Sequence, residues 1–240
     1  MEIKNTQREI VRIWTWITLF FLAVGAYPII KQNDFDEISM LLLSLSVFMV
    51  IIGLVIVLVY RVRAKRLDEL ISGTDLLAHW NFTAQEWQAY VAYDYGKRRA
   101  TMLLTFYVIG GMLMTVGIIG VLVTVDYLFL IVCTGITAFV GLLMYTVLAW
   151  NKARLTGKPG FVLLSTKSVL LNGVFHNWTS LRARVEKVIH TTEVSPSVIT
   201  LEYSMPAKNG RTYTEIRIPV PLSQTKQASE IAEKIRAANR

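Results

Sequence analysis

The chain has 240 residues, is 53% hydrophobic, and carries 25 basic against 17 acidic side chains, a net charge of +8. Its apolar residues crowd into four long uncharged runs, which excludes an ordinary water-soluble globule over the first 150 residues. The single cysteine, Cys133, lies inside the fourth run, so no intrachain disulfide is available and a small apolar filling role is expected.

The uncharged runs cover residues 13–30, 38–60, 100–125 and 127–151. At a rise of about 1.5 Å per residue, each reaches across a hydrocarbon core about 30 Å thick. A chain in lipid must satisfy its own backbone hydrogen bonds, so each run is expected to be a membrane-spanning helix. Basic residues near span ends mark the cytoplasmic side. Lys4, Arg8 and Arg12 precede the first span; Arg61, Arg63, Lys65 and Arg66 follow the second; Lys97, Arg98 and Arg99 precede the third; Lys152, Arg154 and Lys158 follow the fourth. The link between the first two is net negative, and Asp126 alone interrupts the last two. Two outward hairpins with both termini cytoplasmic place every basic cluster on one side. A competing reading at the start is a secretory signal cleaved near Val24-Gly25-Ala26. Glu2 and Glu9 dilute its basic region and the apolar run continues to Ile30, so an uncleaved span is expected.

Asp126 is expected at a hairpin tip as a turn residue. Gly110, Gly111, Gly117 and Gly120 in the third span, with Gly135 and Gly141 in the fourth, allow close helix packing, either within the unit or as a dimer face. Ser44, Ser46, Thr105, Thr115, Thr134 and Thr137 are expected to bond across helices or to their own backbone. Trp14, Trp16, Tyr60, Tyr107, Tyr127 and Trp150 are placed as interfacial anchors.

Residues 61–99 are too many for a simple loop. Residues 61–71 continue the second helix to a stop near Gly73. Thr83 and Glu86 have capping-box spacing. Trp87, Tyr90, Val91 and Tyr95 follow at helical spacing, and this aromatic face is expected against the membrane surface or the C-terminal domain. The helix is expected to run through Lys97-Arg98-Arg99 into the third span. His79, His176 and His190 show no metal-ligand spacing, and Asp68, Glu69, Asp75 and His79 form no recognised catalytic pattern.

From residue 161 the period changes to that of strands. Runs 161–165 and 168–172 lead to Asn172-Gly173, a two-residue hairpin signal, and 174–178 returns. Residues 182–191 read as a strand, with a helical turn over 181–188 as the alternative. A second turn at Asn209-Gly210 pairs Lys208 with Arg211, and counting outward sets Tyr203 opposite Ile216, Leu201 opposite Ile218, Ile199 opposite Val220 and Glu202 opposite Arg217. Pro219 and Pro221 end that strand. Ser223 is expected to cap a helix to about Ala238, with Ala228, Ile231, Ala232 and Ile235 as its apolar stripe.

Several short antiparallel strands closed by one amphipathic helix resemble a pleckstrin-homology-like (PH-like) domain. Membrane spans followed by GFVLLSTKSVLLNGVFHNWTSL and by RIPVPL before a final helix resemble bacterial YcxB-like membrane proteins, over residues 160–240. The resemblance implies an architecture and a binding surface and supplies no catalytic residues. The expected organisation is a four-helix transmembrane unit over 1–151, including the insertion at 61–99, and a cytoplasmic PH-like β domain over 152–240.

The basic excess sits entirely in residues 151–240, with 14 basic against 6 acidic side chains. A basic domain beside a membrane is placed to touch anionic headgroups. Lys152, Arg154 and Lys158 form one candidate headgroup cluster; Arg182, Arg184 and Lys187 form another. The leading expectation is a non-enzymatic binding or regulatory module whose partner is a membrane lipid, another protein or its own copy. No cofactor, metal or nucleic-acid motif is present. A passive oligomeric pore is the alternative, and a lipid-modifying enzyme the least supported.

Overall fold

The computed structural model describes residues 4–31, 36–156, 159–179 and 182–239. Helix α1 (Thr6–Lys31) pairs with α2 (Glu37–Ile71), and α3 (Ala84–Thr124) pairs with α4 (Leu128–Leu155). All four are long and apolar enough to cross a membrane. Their outward side chains, such as Phe48, Leu104 and Leu142, are exposed. The two hairpins pack internally, without extensive contact between them among the described residues.

Small residues make the close approaches within each hairpin. A Cβ added at Gly53 would collide with Thr18, and one at Gly120 would stand 2.8 Å from the Phe129 ring. Gly110 and Gly117 likewise face α4, against Thr137 and Cys133, whereas Gly111 and Gly135 meet nothing within 4 Å. The hydroxyls of Ser44, Thr105, Thr115 and Thr137 donate to their own helix one turn back, and Thr134 reaches Met114 across the hairpin. Asp126 accepts from the Leu128 N–H at the tip, where Val125 takes a left-handed φ of 57°.

The β strands form two antiparallel sheets. The first has the order β1 (Leu76–Asn81), β2 (Phe161–Ser165), β3 (Ser168–Leu171), β4 (Val174–Asn177). The second has β5 (Arg184–Thr191), β6 (Val198–Ala207) and β7 (Gly210–Pro219), and α5 (Thr225–Ala238) follows. Strand β1 comes from the insertion, so residues 76–81 and the start of α3 belong physically to the β unit instead of the membrane unit. Ala78 and Trp80 point into the core while His79 and Asn81 face out, the alternation of a half-buried strand. That strand is not apparent from sequence, because its partner lies some 80 residues away.

Alternation also divides the first sheet's other strands. Val162, Leu164, Val169 and Leu171 face the main core, with Ile199, Leu201, Ile218 and the α5 residues Ala228, Ile231, Ala232 and Ile235. Leu163, Leu170 and Phe175 face the other way and are covered by Leu67 and Leu70 at the end of α2. Each such burial contributes roughly 1.5–3 kcal/mol, enough to seat the sheet on the α2 extension.

Asn172 (φ 45°) and Gly173 (φ 85°) form the expected hairpin turn. The β6–β7 hairpin departs from the expected register by two residues. Ala207 pairs with Gly210, leaving Lys208-Asn209 as the turn. Tyr203 therefore faces Thr214, Leu201 faces Ile216, Ile199 faces Ile218, and Glu202 faces Glu215. The only left-handed residue here is Gly210, at φ 127°, and it stands just after the turn, not inside it. A two-residue shift preserves which face each side chain takes, so the apolar face survives. Glu215 turns to Arg217, and Glu202 lies opposite Lys187 on its other side. Residues 184–191 are strand, not helix. Ser223 lies in a 3-10 turn over Leu222–Gln224 and makes no cap; α5 begins at Thr225.

Candidate functional site

Thr83 and Glu86 form the expected capping box and start α3 inside the β unit, well before its apolar run. Glu86 also accepts from the Leu222 N–H, tying the helix start to the chain after β7. Successive turns then bring Trp87, Tyr90, Asp94 and Arg98 to one side of the helix. Trp87 and Tyr90 are fully buried in the main core, so the expected aromatic face is interdomain packing. The Trp87 indole N–H donates to the Leu155 carbonyl at 2.9 Å, and the Tyr90 hydroxyl donates to the Arg217 carbonyl at 2.8 Å. Burial, and then the Asp94 charge, push the Tyr90 pKa up. Tyr95 falls outside this core and instead stacks under Lys152, whose Nζ lies 4.7 Å from the ring centroid.

Asp94 is 2% exposed. Its carboxylate accepts from Arg98 Nε at 2.6 Å and from the Arg217 guanidinium at 2.9 Å, and Arg217 also meets Glu215 at 2.7 Å. Burial works against the Arg217 charge, but the Glu215 and Asp94 carboxylates outweigh it and raise its pKa. The network spans α3 and β7 and clamps the second sheet to the helix.

Beside it opens a cleft of about 160 Å³, between the cytoplasm-facing ends expected of α3 and α4 and the edge strand β4. Its polar lining includes Asp94, Tyr95, Arg98, Asn151, Lys152, Arg154 and His176. Asn151 and Lys152 stand at the point where α4 leaves its apolar run. Among the described residues neither Lys152 nor Arg154 has a carboxylate partner, and the two oxygens of Asp94 are taken by Arg98 and Arg217. Positive charge therefore exceeds negative in a space with low-dielectric walls, which favours an anion.

Burial, and then the nearby Arg63 and Arg98 cations, push His176 down to about 4 from its ordinary 6.5. The imidazole is neutral at neutral pH. Because the folded value lies below the unfolded one, the unfolded chain takes up the proton first as pH falls. Stability from this residue is thus lost between about pH 6.5 and 4, by up to about 3 kcal/mol. Thermal unfolding of the detergent-solubilised chain across this window should show a smaller acid loss for His176→Gln than for the natural sequence; equal losses would refute this assignment.

The structure brings Lys152 and Arg154 together, and Lys158 lies outside the described residues. Arg182, Arg184 and Lys187 sit before and along β5, away from this cleft's lining. Lys187 is opposite Glu202, and the Arg182 carbonyl accepts from Arg211. Arg98, Asn151 and His176 were not expected at the site. The Asp94–Arg98 spacing of one helical turn was visible in sequence, but the meeting with β4 was not. His79 is exposed on β1, while Asp68 pairs with Arg8, Glu69 with Arg66, and Asp75 accepts from Thr166. Among the described residues no group of three or more His, Cys, Asp or Glu is placed to hold a metal.

No family model, curated protein or solved structure matches this chain.

Proposed function

We propose that the chain is a multi-pass membrane protein with both termini on the cytoplasmic side and a PH-like β unit, and that the cleft between this unit and the ends of α3 and α4 binds anionic, phosphate-bearing headgroups. The four helices supply the anchor, and the basic flanks of their apolar runs support the orientation. Four strands, then three, then a closing helix agree with the PH-like resemblance, which extends in this reading to the YcxB-like group. The observation that carries the binding role is the convergence of Arg98, Lys152 and Arg154 on one cleft, where α4 leaves its apolar run, with no carboxylate left for Lys152 and Arg154 among the described residues. Cations next to a membrane each add about 1 kcal/mol of attraction to an anionic surface.

The full chain in nanodiscs of mixed phosphatidylglycerol and phosphatidylcholine should enrich the anionic lipid around itself. Lys152→Gln with Arg154→Gln should reduce that enrichment several-fold, measured by lipid analysis of the isolated discs. Unchanged enrichment in the double variant would remove the headgroup role of this cleft.

A further inference from the structure

Beside the cleft, between α3 and α4, lies a mostly apolar groove of about 460 Å³, lined by Met102, Leu103, Phe106, Gly141 and Met144 together with Arg99. Tyr95 and Leu148 line both groove and cleft, so the two adjoin at these side chains. Phe106 and Gly141 line the groove and approach closely: a Cβ on Gly141 would stand 3.0 Å from the Phe106 ring. Gly141 precedes Lys152 by eleven residues along α4, or about 16 Å at the rise of an α-helix. That is about half of a hydrocarbon core about 30 Å thick, the depth of one leaflet.

A cationic cleft adjoining an apolar channel one leaflet deep has the charge and length of a single lipid molecule. We propose that cleft and groove together hold one intact anionic phospholipid, its phosphate among Arg98, Lys152 and Arg154, and one acyl chain between Met102 and Met144. This rests on the headgroup reading above and adds the acyl chain as part of the ligand. The groove is nearly three times the volume of the cleft, so a free phosphate or a soluble phosphorylated metabolite leaves most of the site empty.

The test uses the full chain, extracted from the mixed nanodiscs into detergent and examined by native mass spectrometry for retained lipid. The natural sequence should keep one phosphatidylglycerol per chain. Met144→Trp fills the groove from α4 and Met102→Trp fills it from α3. Either should lower retention at least tenfold while the enrichment of anionic lipid in intact discs persists, and an unchanged thermal unfolding midpoint shows that each variant folds. Retention like that of the natural sequence in both groove variants would overturn the acyl-chain site and leave the headgroup reading standing. Displacement of the retained lipid by glycerol phosphate at equal concentration would also overturn it. Loss of anionic preference only in the Lys152→Gln, Arg154→Gln variant is the further expected result.

Discussion

Replacing Trp87 with alanine should cost the β unit about 4 kcal/mol. The indole is 2% exposed and packs on Phe82 and Tyr90, with ring centroids 5.8 and 5.2 Å away. Its N–H is bonded to the Leu155 carbonyl at the end of α4, so one side chain joins the sheet core, the insertion helix and the exit of the last apolar helix. Gly160 lies flat against the ring, and a Cβ at that position would run into it. The alanine variant therefore leaves a large cavity that rigid neighbours cannot close, and it orphans a carbonyl. Amide exchange in β2 and β3 should accelerate on the order of a thousandfold in the detergent-solubilised chain, while the α1–α2 hairpin is unaffected. Acceleration below about tenfold would show that Trp87 is not the tie between these elements.

Asp94→Asn should cost on the order of 3 kcal/mol, through charge and not volume. The substitution keeps the shape but leaves the Arg98 and Arg217 cations facing each other at a site where Arg217 is only 14% exposed. Glu215 still neutralises part of the Arg217 charge, which holds the cost toward the lower end for a broken buried pair. A double-mutant cycle with Arg217→Gln tests the mechanism. The two changes should be less than additive by more than 1 kcal/mol, because the second removes the charge that the first left unpaired. Additivity within about 0.5 kcal/mol would mean that the clamp contributes nothing specific. The same variant releases Arg98, a lining residue of the cleft, so its effect on anionic-lipid enrichment separates stability from binding.

The legible parts of the fold are those in which neighbouring residues decide the outcome. The capping box at Thr83 and Glu86, the turn at Asn172-Gly173 and the stripe Ala228, Ile231, Ala232 and Ile235 rest on contacts within one turn or one hairpin. The register of β6 on β7 was less legible. Two registers differing by two residues give the same faces, and a turn at Asn209-Gly210 would need a positive φ at Asn209, which that residue does not take. Strand β1 is not legible, because six residues between α2 and α3 become a strand only when β2 is there to pair with them.

The candidate site divides in the same way. Lys152 and Arg154 follow directly from the basic flank of the last apolar run. Arg98 and His176 join them only because α3 enters the β unit before it turns into its apolar run, and because β4 is the sheet edge lying beside α4. Asp94, an unremarkable carboxylate in sequence, is buried between Arg98, one turn along its own helix, and Arg217 from the distant strand β7.

The amino-acid sequence by itself determined that four helices are long and apolar enough to cross a membrane, that basic residues flank them on one side, and that a small β unit follows. Hydropathy and helical or strand periodicity are local properties, and they need no partner to be read. The tertiary structure alone decided that the insertion supplies the first strand of that unit, that the two hairpins share no extensive contact among the described residues, and that three cations line a cleft adjoining an apolar groove. Those outcomes depend on which sheet face finds a cover and which buried charge finds a counter-charge, and such choices are settled only when distant segments compete for the same contacts.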